Sequence, residues 1–202
     1  IDLSPMTIWG QDDRRTYFDY TYPWGCVCRI TNAAGGVGSG VLIGPRHILT
    51  ASHVVEWSDR PELIEVHRAG TTSRAVAWDT HAYAFTRVSG NPTFSTVDED
   101  YAVLVINERL GDSFGWLGTK TYDSAWDGED LWATMGYPGD LFNGLQPTFQ
   151  LRMSMDEDEW DYGSGRAMTT AADMKPGQSG SPMFGTWADG FAYAVAVMSS
   201  EG

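Results

Sequence analysis

Helical periodicity is almost absent from this sequence. Short runs rich in β-branched and aromatic residues recur instead, separated by Gly, Pro, Asn and Asp. Residues 24–30, 40–43, 47–50, 63–67, 75–78 and 101–106 read as six strands. Residues 115–117 open a second half, and 131–135, 149–155, 166–170, 182–184 and 191–198 read as five more. Many short strands with turn signals between them predict a sandwich or a barrel. One helical turn is expected at 51–57, just after a strand, and 107–115 reads as a linker between units 1–110 and 111–202.

The chain has 202 residues, 42% hydrophobic and 20% charged, which excludes a disordered tail. No run approaches the roughly 20 apolar residues of a spanning helix. The formal net charge of -14 argues against nucleic acid and anionic membranes, both of which call for basic patches. The start at Ile1, with no basic stretch leading into an apolar one, is expected of a processed, secreted chain. Cys26 and Cys28, spaced C-x-C, make no disulfide framework; free thiols, a strained short bridge or outside partners all stay open. The run Asp156-Glu157-Asp158-Glu159 reads as a solvated loop or hairpin tip, with a calcium site as the alternative. His47, His67 and His81 fall in no metal-ligand spacing and read as surface or strand residues, so neither metal nor cofactor is expected.

Three local motifs carry chemistry. Thr50-Ala51-Ser52-His53 presents a histidine where a strand ends in a tight turn. In Asp98-Glu99-Asp100-Tyr101-Ala102-Val103-Leu104, an acid heads an apolar strand; Asp100 is preferred over Asp98 and Glu99 because it directly precedes that strand. Gly177-Gln178-Ser179-Gly180-Ser181-Pro182 flanks a serine with glycines. A serine hydroxyl needs a base beside it at neutral pH, and imidazole, with an ordinary pKa near 6.5, can take its proton and return it. A buried carboxylate holds the imidazole in the right tautomer. The backbone N–H groups of Gly177 and Ser179 are candidates for an oxyanion hole.

With these motifs, and with Gly38-Ser39-Gly40-Val41-Leu42-Ile43-Gly44 and Gly136-Tyr137-Pro138-Gly139-Asp140, the sequence resembles the trypsin-like serine proteases. The branch is that of the glutamyl endopeptidases and their bacterial and fungal relatives. The resemblance spans roughly residues 24–198, and the His…Asp…Ser order separates it from α/β-hydrolases and subtilisins. It implies an all-β chain with two six-stranded antiparallel barrels of chymotrypsin type. The second barrel is expected to be incomplete toward Gly202. His53 and Asp100 fall in the first unit, Ser179 in the second, with the site between them. Implied too are a secreted, monomeric serine endopeptidase acting on proteins or peptides; the alternative is an inactive protease-like binding or chaperone module.

Two departures from the family stand out. Gln178 occupies the place where trypsin-type enzymes carry an aspartate that pairs with a newly formed N-terminal amine. Ser39 and Val54 stand in the region of the usual cysteine pair. Substrate contacts are expected from Asp173, Met174, Met198 and Ser199. Three preferences remain open before the scissile bond: basic through Asp173, bulky apolar through Met174 and Met198, or acidic through the Ile1 amine.

Overall fold

The computed structural model describes residue 8, residues 10–156 and residues 166–199. Ile1 and Glu157, Asp158 and Glu159 of the acidic run lie outside the described residues. After a short strand β1 (Arg15–Thr16), six strands follow: β2 (Val27–Thr31), β3 (Val37–Gly44), β4 (His47–Thr50), β5 (Leu63–Val66), β6 (Ala75–Ala84) and β7 (Ala102–Ile106). They close into an antiparallel barrel in the order β2-β3-β4-β7-β6-β5. The two-residue side-chain period explains the closure. In β7, Ala102, Leu104 and Ile106 turn into the barrel, where they meet Ile30, Ile48 and Ile64, all without exposed surface.

A single helical turn, α1 (Gly111–Phe114), leads to β8 (Gly118–Thr119), β9 (Trp132–Gly136), β10 (Thr148–Met153), β11 (Met155–Asp156), β12 (Thr169–Thr170), β13 (Pro182–Thr186) and β14 (Ala192–Val197). Six strands form a second sheet in the order β1-β10-β9-β13-β14-β8, and β11 pairs with β12. β8 runs parallel to β14, whereas the other pairings are antiparallel. The core of the barrel continues into this sheet: Met135, Tyr137, Phe184 and Ala194 pack in the same apolar cluster as Ile30 and Leu42. A second, methionine-rich cluster joins Met153, Met155, Met174, Met183 and Met198 to Trp132.

Several strands differ from the sequence expectation. β6 runs to residue 84 rather than 78, because its outward face is exposed and a bulge between Asp79 and His81 breaks the apolar alternation. Of residues 166–170, the strand β12 takes in Thr169 and Thr170. His67 is neither on a strand nor on the surface: it is buried, with Nε2 at 2.9 Å from the Asp19 carbonyl and its ring edge-on to Tyr17. Its buried ring disfavours the charged form, so its pKa is lowered.

Candidate active site

His53 lies in a 3-10 turn, Ser52–Val54, directly after β4. Asp100 closes another 3-10 turn, Val97–Glu99, just before β7. β4 and β7 are paired, Thr50 opposite Ala102, so the two turns leave the same end of the barrel side by side. The Asp100 carboxylate is wholly buried and is held from both oxygens. Oδ1 accepts the His53 backbone N–H at 2.8 Å, and Oδ2 meets His53 Nδ1 at 2.6 Å. Ser199 Oγ donates to the same Oδ2 at 2.5 Å. Three donors on one buried carboxylate offset its desolvation and fix the imidazole by Nδ1, leaving Nε2 for chemistry. The neighbouring Glu99 instead accepts from Thr86 Oγ1. Asp100 is thus the acid that the structure brings to His53.

Ser179 sits in the loop that runs into β13. Its Oγ donates to the Ser199 carbonyl at 3.4 Å rather than to His53. Ser199 therefore links them: its carbonyl receives Ser179, and its hydroxyl reaches the carboxylate that holds His53. Ser39, on β3, also fastens this loop to that strand. Its N–H donates to the Ser179 carbonyl at 2.8 Å, and its Oγ donates to the Gly177 carbonyl at 2.7 Å. The same Oγ accepts the Tyr137 N–H at 2.8 Å. Such fine positioning by a buried hydroxyl leaves no signal in the sequence beyond the residue itself.

The peptide units of the nucleophile loop are held one by one. The Pro176 carbonyl accepts from Gly139 N at 2.7 Å. Because C=O and N–H point opposite ways across a trans peptide, this bond sets the direction of the Gly177 N–H. The Gln178 carbonyl accepts from Ser181 N at 2.9 Å and sets the Ser179 N–H in the same way. Gly177 has φ +100, and a Cβ there would lie 2.4 Å from the Tyr137 carbonyl oxygen. Only glycine suits this conformation and this approach.

Of the residues expected in a substrate pocket, Asp173, Met174 and Met198 are all buried. Asp173 is engaged by Gln150: its N–H donates to Gln150 Oε1 at 2.8 Å, and its Oδ2 accepts from Gln150 Nε2 at 3.3 Å. Met174 and Met198 pack in the methionine-rich cluster. Val54 packs its methyls against Gly38, where a Cβ would come within 2.6 Å. Cys26 and Cys28 are free and buried. Burial pushes the Cys26 thiol up to about 12 and raises that of Cys28 as well.

The most informative residue missed by sequence reasoning is Arg14. Its side chain is 1% exposed, and its guanidinium contacts Gln178, the residue before Ser179. An arginine thirteen residues before β2 carries no motif that would have singled it out.

Comparison with known proteins agrees with this architecture. The family described as "Trypsin-like peptidase domain" matches residues 38–195. A curated relative, the extracellular metalloprotease of Bacillus subtilis (strain 168), is 24% identical over 208 residues, covering 99% of this chain. The chain spans 64% of that relative's length. Among solved structures, a Glu endopeptidase in complex with MPD superposes with a TM-score of 0.62 at 19% identity, covering 94% of each chain. The protease Anisep from Arthrobacter nicotinovorans gives 0.62 at 18%, covering 93% of this chain and 90% of its own. Human heparin binding protein gives 0.66 at 14%, covering 94% and 85%. At these identities the likeness to solved structures speaks for the fold alone. With His53, Asp100 and Ser179 all inside the matched span, the chain belongs to the trypsin-like peptidase domain family.

Proposed function

We propose that this trypsin-like protease is a serine endopeptidase that cleaves peptide bonds through an acyl-enzyme. One observation carries the reading: a wholly buried Asp100 holds His53 by Nδ1, and Ser199 ties the same carboxylate to Ser179. Ser179 Oγ attacks the carbonyl carbon while His53 Nε2 takes its proton. The C–N bond then breaks as His53 returns that proton to the leaving amine. Water repeats the sequence on the ester and frees Ser179. The Gly177 and Ser179 N–H groups receive the oxyanion of each tetrahedral intermediate. A loose Ser179–His53 geometry is ordinary before substrate binds.

The substrates are proteins or peptides, met by a monomer outside the cell; the Bacillus relative is itself named as extracellular. The catalytic residues divide between units 1–110 and 111–202, with substrate held between them. Preference for a basic residue loses its physical basis at Asp173, because Gln150 already supplies that carboxylate with a partner. Asp173→Asn should therefore leave Arg and Lys discrimination in a peptide library unchanged. A Glu endopeptidase among the fold neighbours makes acidic peptides the first substrates to try.

The deciding experiment is stoichiometric labelling by an organophosphate, with peptidase activity followed in parallel. Wild type should take one label and lose activity, whereas chelators leave activity intact. Ser179→Ala should take none and turn over on the order of 10⁶-fold more slowly. A chain that cleaves peptides, resists the organophosphate and stops on chelation is a metallopeptidase, the activity named for the Bacillus relative. Among the described residues no three His, Cys, Asp or Glu side chains gather as metal ligands would. A chain that neither takes label nor cleaves is the protease-like binding module; a fold neighbour named for heparin binding makes that outcome concrete. The net charge of -14 is ill-suited to a polyanion.

A further inference from the structure

Arg14 is a charge in an unusual place. Its side chain is buried, and all five of its N–H donors are used. Nε and Nη2 donate to Asp12 at 3.1 and 3.0 Å. Nη1 and Nη2 donate to the two oxygens of Asp140 at 3.1 and 2.6 Å, a bidentate pair. The second hydrogen on Nη1 goes to Gln178 Oε1 at 3.1 Å.

Each partner has a neighbour that matters. Asp140 follows Gly139, whose N–H holds the Pro176 carbonyl and so sets the Gly177 amide. Gln178 precedes Ser179, and its Oε1 also accepts the Lys175 N–H at 2.9 Å, closing the turn that contains Gly177. The guanidinium therefore straps together the two stretches of backbone that aim the oxyanion donors. A second contact grips the start of the same loop. Asp13 Oδ1 accepts from Gln150 Nε2 at 2.5 Å, and that amide in turn holds Asp173 from both sides. β1 follows at once and pairs with β10, Thr16 opposite Thr148, which fixes the segment in register.

We propose that residues 12–14 are a built-in clamp on the nucleophile loop, with Arg14 a positioning residue that orders the oxyanion hole through Gln178 and Asp140. This rests on the peptidase reading above. The clamp is an interior side chain, so the loop needs no newly formed N-terminal amine. Position 178 can then be a neutral glutamine, because the guanidinium is balanced by Asp12 and Asp140 instead. Removing Arg14 would leave those two carboxylates facing each other and Gln178 Oε1 without its buried charged donor.

The test measures kcat, KM and binding of a peptide aldehyde, which forms a tetrahedral adduct, for folded enzyme counted by organophosphate titration. Arg14→Ala should lower kcat on the order of 10²-fold, the loss typical of one oxyanion donor, with KM little changed. Aldehyde affinity should fall in parallel, while a non-covalent product peptide binds as before. Added guanidinium ion should restore part of kcat. Gln178→Met, which keeps the Asp12 and Asp140 pairs, should reproduce the kcat loss, and it serves should Arg14→Ala fail to fold. Unchanged kcat and aldehyde affinity per titrated site in Gln178→Met overturns the clamp. A wild type that cleaves nothing and takes no label overturns the peptidase reading, and this inference with it.

Discussion

Glu62 shows how one residue couples pH to the loop that bears His53. Its carboxylate is buried and accepts N–H groups from Glu56 at 2.8 Å and Ala33 at 3.1 Å, tying the β2–β3 turn to the segment after His53. Burial, reinforced by Asp79, pushes its pKa from 4.5 up to about 7 against the pull of those two donors. Between these values the folded chain holds a proton that the unfolded chain has lost. Stability from this residue is therefore full below about pH 4.5 and declines as pH rises toward about 7. Denaturant melts across that window should show the decline in wild type, and Glu62→Gln should flatten it; equal slopes would refute the coupling. Gly177 gives a second prediction at this scale. Gly177→Ala would force a side chain into φ +100 and onto the Tyr137 carbonyl oxygen, so the loop must shift. Peptidase activity should fall on the order of 10²-fold or more, as for a lost oxyanion donor, with far-UV circular dichroism unchanged.

At the scale of elements, β3 carries more than its place in the barrel. Through Ser39 it receives the Tyr137 N–H and reaches the Gly177 and Ser179 carbonyl groups. Ser39→Ala would leave the buried Tyr137 N–H and Gly177 carbonyl without partners, at about 1–3 kcal/mol for each. Thermal melts should show the loss, and activity should fall with it; a neutral substitution would mean water replaces the hydroxyl. The strands bearing the three motifs were legible because each has an apolar inward face and a turn signal at its end. β4, β7 and β13 lie where residues 47–50, 101–106 and 182–184 were expected. β1 was not legible: two polar residues, Arg15 and Thr16, carry no period, and only pairing with β10 makes them a strand. β8 runs parallel to β14 because the chain enters the second sheet through α1, not through a hairpin, and local sequence does not encode that route. His53, Asp100 and Ser179 could be singled out as candidates from sequence because each stands in a motif. Arg14 could not, since its significance comes from burial beside Gln178, 164 residues away in the chain.

At the scale of the whole molecule, 27 acidic residues face 13 basic ones, giving -14. A field of this sign slows the approach of acidic peptides and favours basic ones, and salt screens both effects. Raising ionic strength should therefore increase kcat/KM for an acidic peptide and decrease it for a basic one. Parallel responses would show that the local pocket, not the global field, governs encounter. The two buried thiols carry a different consequence. Cys26 and Cys28 are the sequence's only cysteines, and they are unbridged, so no covalent crosslink joins the barrel to the second sheet. With a thiol pKa pushed up to about 12, Cys26 holds almost no thiolate at neutral pH and is a poor target for oxidants. The fold is therefore indifferent to redox state: it should assemble as readily in a reducing cytosol as in an oxidising medium, and dithiothreitol should leave its melting temperature where it was.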